Sequence, residues 1–302
     1  MAQRASSPTD RQLPAGNEIF LDHVGHFVAD PDAAAGALAR AGFAPTPVSV
    51  QTAPDGGLTG TGNITAMLRR GYIEALFKTA ATPLGRELET GMARYPGLHL
   101  VAFAVADAAA AHRRLGGSGF RMQPLVEMQR LVDAGGRNGT AAFTIARPAP
   151  GEMPEGRIQT LTHRTEDMVW QPRWLSHPNG ALGLASVSIV VADLDEASDR
   201  FARFTGRTAR PSSRGRSIDL DRGRVDFVTA EACEDILPEV AIPALPFIAA
   251  YEISVGSLDL VQGILSRNAV ASRRLGESLV APFPDALGRG AWLFAEVADD
   301  GT

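Results

Sequence analysis

Cysteine is nearly absent: Cys233 is the single one among 302 residues. No internal disulfide can form, which suits a reducing compartment and leads us to expect a cytoplasmic protein. No histidine lies close to Cys233 in TAEACEDILPE, so it reads as a buried structural thiol rather than a nucleophile. Basic residues carry no excess, and the formal charge of −5 argues against a nucleic-acid surface. No apolar run is long enough to span a membrane. Residues 1–17 hold no apolar segment of a secretory signal. Their Ser, Pro, Gly, Gln and Arg content makes residues 1–18 an expected flexible tail. A Gly-rich phosphate loop, a CxxC pair and an HExxH helix are also missing, and GTGNIT and GGRNGT are turns with no helix after them. What remains is 45% apolar and 21% charged, an ordinary globular balance, at a length that suits two domains.

The chain repeats itself. LDHVGHFVAD (21–30) alternates as a strand and runs into the helix PDAAAGALARAGF, followed by the strand-like runs TPVSVQT, NITAMLRR and YIEALF. HLVAFAVAD (99–107) opens a second unit, with the helix AAAAHRRLGGSGF and the runs QPLVEMQRLV, TAAFTIARP and RIQTLTHR. LASVSIVVAD (184–193) opens a third, and IAAYEISVGS (248–257) a fourth. Only SLVAP and GAWLFAEVA follow the fourth helix, which leaves that unit with its last strand missing or displaced. Each opening strand ends in Asp or Ser, a side chain that can cap the free amides of the next helix. The expected class is α+β: four βαβββ modules arranged as two paired curved sheets.

This repeat, opened by DHV and followed by YIEALF, resembles the vicinal oxygen chelate superfamily, and more narrowly the glyoxalase-like domain proteins. The resemblance implies a first glyoxalase-like domain over 19–165, a linker over 166–182 and a degenerate second domain over 183–302. It also implies a divalent metal (Zn, Fe, Ni or Mn) in a cup, held by a first-strand His and a last-strand Glu, chelating adjacent oxygens of a small-molecule substrate. Strand alternation puts His23 and Phe27 on one face and His26 on the other, and puts Tyr72 with Glu74. His23 and Glu74 match the family's ligand positions. In the second unit Leu100 takes the His position and His99 is one residue out of phase, which only a bulge could restore. Gln159 takes the Glu position, with His163 on the same face. The expected metal set is therefore His23 and Glu74 with Gln159 or His163, Glu74 doubling as catalytic base. Tyr72, Phe27, Arg69 and Trp174 are candidate substrate contacts.

Each residue also has a plainer reading. His23 would be a hydrogen-bonded cup histidine, Gln159 a wall residue, His163 an exposed strand end and Arg69 a charged strand end. Trp174 would pack between the halves, His26 would be a satisfied core histidine, His112 a solvated helix face and His177 part of a turn. Ser186, Asp226 and Ala250 stand where the second pair of modules would need ligands, so that pair looks metal-free, with a structural role, a second pocket or a homodimer contact left to it. The resemblance implies a metal-dependent lyase or isomerase, with extradiol-type dioxygenase chemistry less well matched. The alternative is a metal-free protein that sequesters a small molecule, as bleomycin-resistance-like members do.

Overall fold

Four capping side chains fix where the modules turn from strand to helix. A computed structural model describes residues 11–297. The first unit is β1 (Ile19–Phe27), α1 (Pro31–Arg40), β2 (Ser49–Thr52), β3 (Leu58–Met67) and β4 (Tyr72–Lys78). Then α2 (Pro83–Arg94) leads to β5 (Gly97–Val105), α3 (Ala108–Gly117), β6 (Val126–Asp133), β7 (Asn138–Ala146) and β8 (Arg157–His163). After α4 (Glu166–Val169) come β9 (Ala181–Val190), α5 (Leu194–Thr205), β10 (Ala209–Ser212), β11 (Gly215–Asp219), β12 (Arg224–Val228) and α6 (Ala230–Ile236). The last unit is β13 (Phe247–Val255), α7 (Leu258–Arg267), β14 (Arg273–Leu275), β15 (Ser278–Pro282) and β16 (Ala291–Glu296). Asp30, Asp107, Asp193 and Ser257 each accept a hydrogen bond from an amide of the following helix. Each such cap is worth about 1 kcal/mol.

Paired βαβββ modules form both sheets. β1 to β8 close into a barrel in the order β1-β4-β3-β2-β6-β7-β8-β5, and β9 to β16 form an open sheet of eight strands. The fourth unit is complete, a correction to the sequence reading: β14 is only the three residues RRL, too short and too charged to alternate visibly. The helix-facing residues of the two sheets share one core. Val24, Ile73, Val101 and Ile158 from the barrel join Val187, Ile189 and Phe227 from the open sheet and Phe201 from α5. No helix is long and apolar enough to cross a membrane.

Within the expected tail, residues 11–18 are tied to the rest of the chain. Residues 1–10 lie outside the described residues, but Arg11 pairs with Glu18 at 2.7 Å and Leu13 packs beside Met67 and Trp170. The 166–182 segment is likewise pinned. His177 accepts from the Ala44 amide and donates to the Met67 carbonyl, and Asn179 donates to the Ala41 carbonyl.

His26 sits where the halves meet. Trp292 Nε1 donates to the Tyr251 hydroxyl (2.6 Å), which lies 3.1 Å from His26 Nε2, while Nδ1 lies 2.8 Å from the Leu287 carbonyl. This chain is satisfied with a neutral imidazole, Nδ1 donating and Nε2 accepting. Burial pushes both His26 and His99 down to about 4. In the unfolded chain they titrate near 6.5, so the unfolded state binds more protons between pH 6.5 and 4. Stability is therefore full above pH 6.5 and is lost as pH falls toward 4, on the order of 3 kcal/mol for a histidine held neutral throughout. Urea midpoints should drop between about pH 7.5 and 5, and a His26→Gln variant should drop less. Equal midpoints at the two pH values would show that neither imidazole is held neutral.

Candidate functional site

Two irregularities in the pairing of β1 with β5 decide what the barrel encloses. The register slips between Leu21 and His23, which makes Asp22 an extra residue in β1. Regular alternation would send Asp22 and His23 to opposite faces. With the bulge, Asp22 Oδ2 accepts from His23 Nδ1 at 2.7 Å and Oδ1 accepts from His163 Nε2 at 3.0 Å. Asp22 has no exposed surface. Burial pushes its carboxyl up, but the charges and hydrogen bonds of His163 and His23 outweigh that and hold it well below the usual carboxylate range. The turn before β4 makes way for this bulge. Gly71 has φ +76°, and a Cβ there would lie 2.6 Å from the Asp22 carbonyl oxygen.

With Nδ1 committed to Asp22, His23 turns Nε2 toward Glu74 Oε2, 3.6 Å away. Asn63 Nδ2 donates to Glu74 Oε1 at 2.6 Å. Each member of the pair is thus fixed from behind by a polar partner, the support that a reactive imidazole or carboxylate needs to keep its orientation. Tyr72, the cross-strand partner of His23, stacks on the imidazole at 4.3 Å. His23 and Glu74 are 3% and 4% exposed, and the lumen they face encloses about 30 Å³. That is room for about two waters.

The other expected residues do not converge on this pair. Gln159 lines the lumen, but its Oε1 accepts from Arg147 Nε at 2.8 Å. His163 is no exposed strand end: it is buried against Trp170 and Phe143, and Asp22 stands between it and His23. Leu100 reaches the lumen, and a Cβ on Gly25 would come within 2.9 Å of it. The bulge that could have rescued His99 does exist, since the register slips past it between Gly25 and His26, yet its Nε2 donates to the Tyr95 carbonyl at 2.6 Å. Phe27 lies under the lumen with the Arg157 guanidinium 5.2 Å above its ring. Arg69 sits on the exposed turn outside the lumen, where its carbonyl accepts from Gln12. Trp174 lines a separate groove of about 260 Å³ that shares only Arg130 with the lumen. His112 is half-buried and donates to the Gln123 carbonyl.

The expected set of His23, Glu74, Gln159 and His163 is therefore not assembled. His23 and Glu74 are close enough for two donors of one ion, but a catalytic metal typically takes three protein ligands. Among the described residues no group of three or more His, Cys, Asp or Glu is placed to hold one. The third and fourth positions offer a leucine and a glutamine whose oxygen is taken by a guanidinium. These residues do not fit the metal of the resemblance.

What the sequence reading missed is cationic. Arg130, Arg147 and Arg157 all line the lumen and are 6%, 5% and 8% exposed. Burial, helped by the charge of Arg157, pushes Arg147 down to about 9. Arg130 shares a face with Met128 in VEMQRLV, an alternation that was legible; Arg147 and Arg157 flank a loop, where no periodicity marks direction.

Residues 21–205 match the family model described as a glyoxalase-like domain. No curated protein sequence matches the chain. Among solved structures, a hypothetical protein from Staphylococcus aureus aligns at TM-score 0.63 and 10% identity, over 92% of this chain and 100% of that one. A mutant of 4-hydroxymandelate synthase from Streptomyces coelicolor aligns at TM-score 0.55 and 13% identity, over 93% and 94%. A xylose isomerase-like TIM barrel/4-hydroxyphenylpyruvate dioxygenase fusion protein aligns at TM-score 0.55 and 13% identity, over 97% of this chain and 51% of that one. At these identities the structural likeness speaks to the fold.

Replacing the Asp22 carboxylate should loosen both imidazoles at once. Asp22→Asn is expected to lower the unfolding free energy by about 3 kcal/mol, since it breaks a buried charged network. Urea titration at neutral pH measures this, and a loss under about 0.5 kcal/mol would place Asp22 outside the network that supports the site.

Proposed function

The chain belongs to the glyoxalase-like domain family, and from that premise we propose that it is a small-molecule enzyme of isomerase or lyase type, working from the first-barrel lumen without a bound metal. Its substrate carries two adjacent oxygens, and its chemistry is proton transfer beside a carbonyl. The observation that carries this reading is the meeting of His23 Nε2 and Glu74 Oε2 at 3.6 Å, each braced from behind by Asp22 or Asn63.

The roles follow from the bracing. Glu74 Oε1 is occupied by Asn63, so Oε2 is the oxygen free to take a proton from carbon. Protonated His23, its charge balanced by Asp22, donates Nε2–H to the carbonyl oxygen as that oxygen gains negative charge. Glu74 then gives its proton to the former carbonyl carbon while neutral His23 takes the proton of the adjacent hydroxyl, which isomerises the substrate and restores both groups. In a lyase step the enol instead returns its hydroxyl proton to His23 and expels a leaving group from the carbon on the far side of the deprotonated one, and that group departs with the Glu74 proton. Near-complete burial excludes bulk water from the transferred proton. The metal-dependent reading is set aside because two donors are present where three are needed.

Solvent-deuterium exchange followed by NMR tests this without a known product. The panel is small 2-hydroxy ketones, 2-oxo aldehydes and 2-hydroxy acids, with chelator-treated protein. At least one compound should exchange its carbon-bound hydrogen, and Glu74→Gln should slow that exchange by about 100-fold or more while the protein stays folded. Exchange that requires added divalent metal overturns the metal-free mechanism. Tight binding with no exchange favours sequestration and overturns the enzyme reading.

A further inference from the structure

The lumen holds more positive charge than its own walls neutralise. Among the described residues Glu74 is the one carboxylate lining it, against the guanidinium groups of Arg130, Arg147 and Arg157. Arg157 Nε donates to Glu87, on the outer helix α2, and its Nη2 is buried without a partner. Arg147 Nε is spent on a neutral amide oxygen, that of Gln159. No salt bridge among the described residues joins Arg130 or Arg147 to a carboxylate; Glu74 acts on both only through its more distant charge, as Glu87 does on Arg147. Three buried guanidiniums thus face the charges of only two carboxylates, Glu74 and Glu87, and an excess of buried cations is unfavourable until an anion matches it. One acceptor in the lumen is also orphaned: Asn63 Oδ1 is buried and receives no hydrogen.

We propose that Arg130, Arg147 and Arg157 make the lumen a carboxylate site, and that the molecule it takes is a small 2-hydroxy carboxylate. The carboxylate satisfies the guanidiniums, which accept planar two-oxygen anions in a fork geometry. The hydroxyl on the next carbon donates to Asn63 Oδ1 and sets that carbon beside Glu74. The adjacent oxygens that a metal would chelate are divided here between fixed cations and a fixed amide. The proposal rests on the lumen being the working site, and it adds the substrate class.

Calorimetric titration of the full chain with glycolate, acetate and glycolamide tests it. Glycolate should bind, glycolamide should bind at least tenfold more weakly because it lacks the charge, and acetate should fall between them. Arg130→Gln and Arg147→Gln should each weaken glycolate at least tenfold. Ligand-free Arg147→Gln should melt no lower than the parent, since the substitution removes a buried cation that makes no salt bridge; a merely structural arginine would give a lower melting temperature. Equal binding of glycolate and glycolamide, absent glycolate binding, or arginine variants that bind like the parent would each overturn the proposal. If Arg147→Gln fails to fold, Arg130→Gln and the three-ligand series decide. The two readings separate cleanly. Glu74→Gln that abolishes exchange alongside arginine-independent binding sinks only the carboxylate site. Arginine-dependent glycolate binding with no exchange by any compound sinks only the acid–base reading.

Discussion

The buried carboxylate of Asp22 is the constraint on which the first barrel depends. It accepts from His23 in its own strand and from His163 in β8, two strands away across β5. One side chain thereby ties the first module to the second and dictates the imidazole tautomer at the site. An ionised carboxylate only accepts, so both histidines must present N–H to it. His23 is left with Nε2 as its one atom for chemistry, and the strand register delivers that atom to Glu74. The stacking of Tyr72 on His23 and the glycine at position 71 are consequences of the same placement.

The second half repeats the topology without the chemistry. Ser186 pairs with Arg224 and Ser188 with Asp226, the register that pairs His23 with Tyr72 and Gly25 with Glu74. Asp226 is thus the counterpart of Glu74, yet it accepts from Arg224 at 2.9 Å and from Ser217 at 2.8 Å. A carboxylate neutralised by its own neighbours is a poor base. The open sheet keeps a cavity of about 410 Å³, lined at its floor by small residues such as Ala249 and Ala250. Its clearest service to the first half is support: Tyr251 and Leu287 hold His26, and the Arg222 carbonyl accepts from the Leu21 amide, next to the bulge.

Much of this was legible in the sequence because it is local. The three VAD openings and the VGS of the fourth announced four helix caps, and alternation along LDHVGHF and YIEALF sufficed to aim His23 and Glu74 at each other. The failures share a physical cause. Alternation has a period of two, so one inserted residue inverts it, and the pairing of β1 with β5 slips at both Asp22 and His99, of which only His99 had been judged by its parity. Asp22 drew no role from the opening strand, because the inserted residue that brings it beside His23 leaves no mark in the alternation. Gln159 pointed correctly into the lumen, but the arginine that takes its oxygen comes from twelve positions earlier in the chain, across a loop. Long side chains that reach a site from flanking segments leave no periodic trace.

A lumen of about 30 Å³ is too small for a substrate at rest, so the wall that gives way matters. Most neighbouring strands of the barrel pair along much of their length, but β2 and β6 pair only at Gln51 with Arg130 and Thr52 with Gln129. Gln51, Gln129 and Arg130 all line the lumen at that seam. Arg130 also lines the groove under Trp174, so this one side chain borders both spaces. Few backbone hydrogen bonds hold the seam, and parting it exposes little core, because Val50 and Leu131 beside it are already exposed. Arg130 is also a buried cation that makes no salt bridge among the described residues, with Glu74 acting on it only at a distance. The least paired seam of the barrel and one of its lumen cations therefore coincide, so that a loosening of the wall there would act first on the charge that the proposed carboxylate would meet.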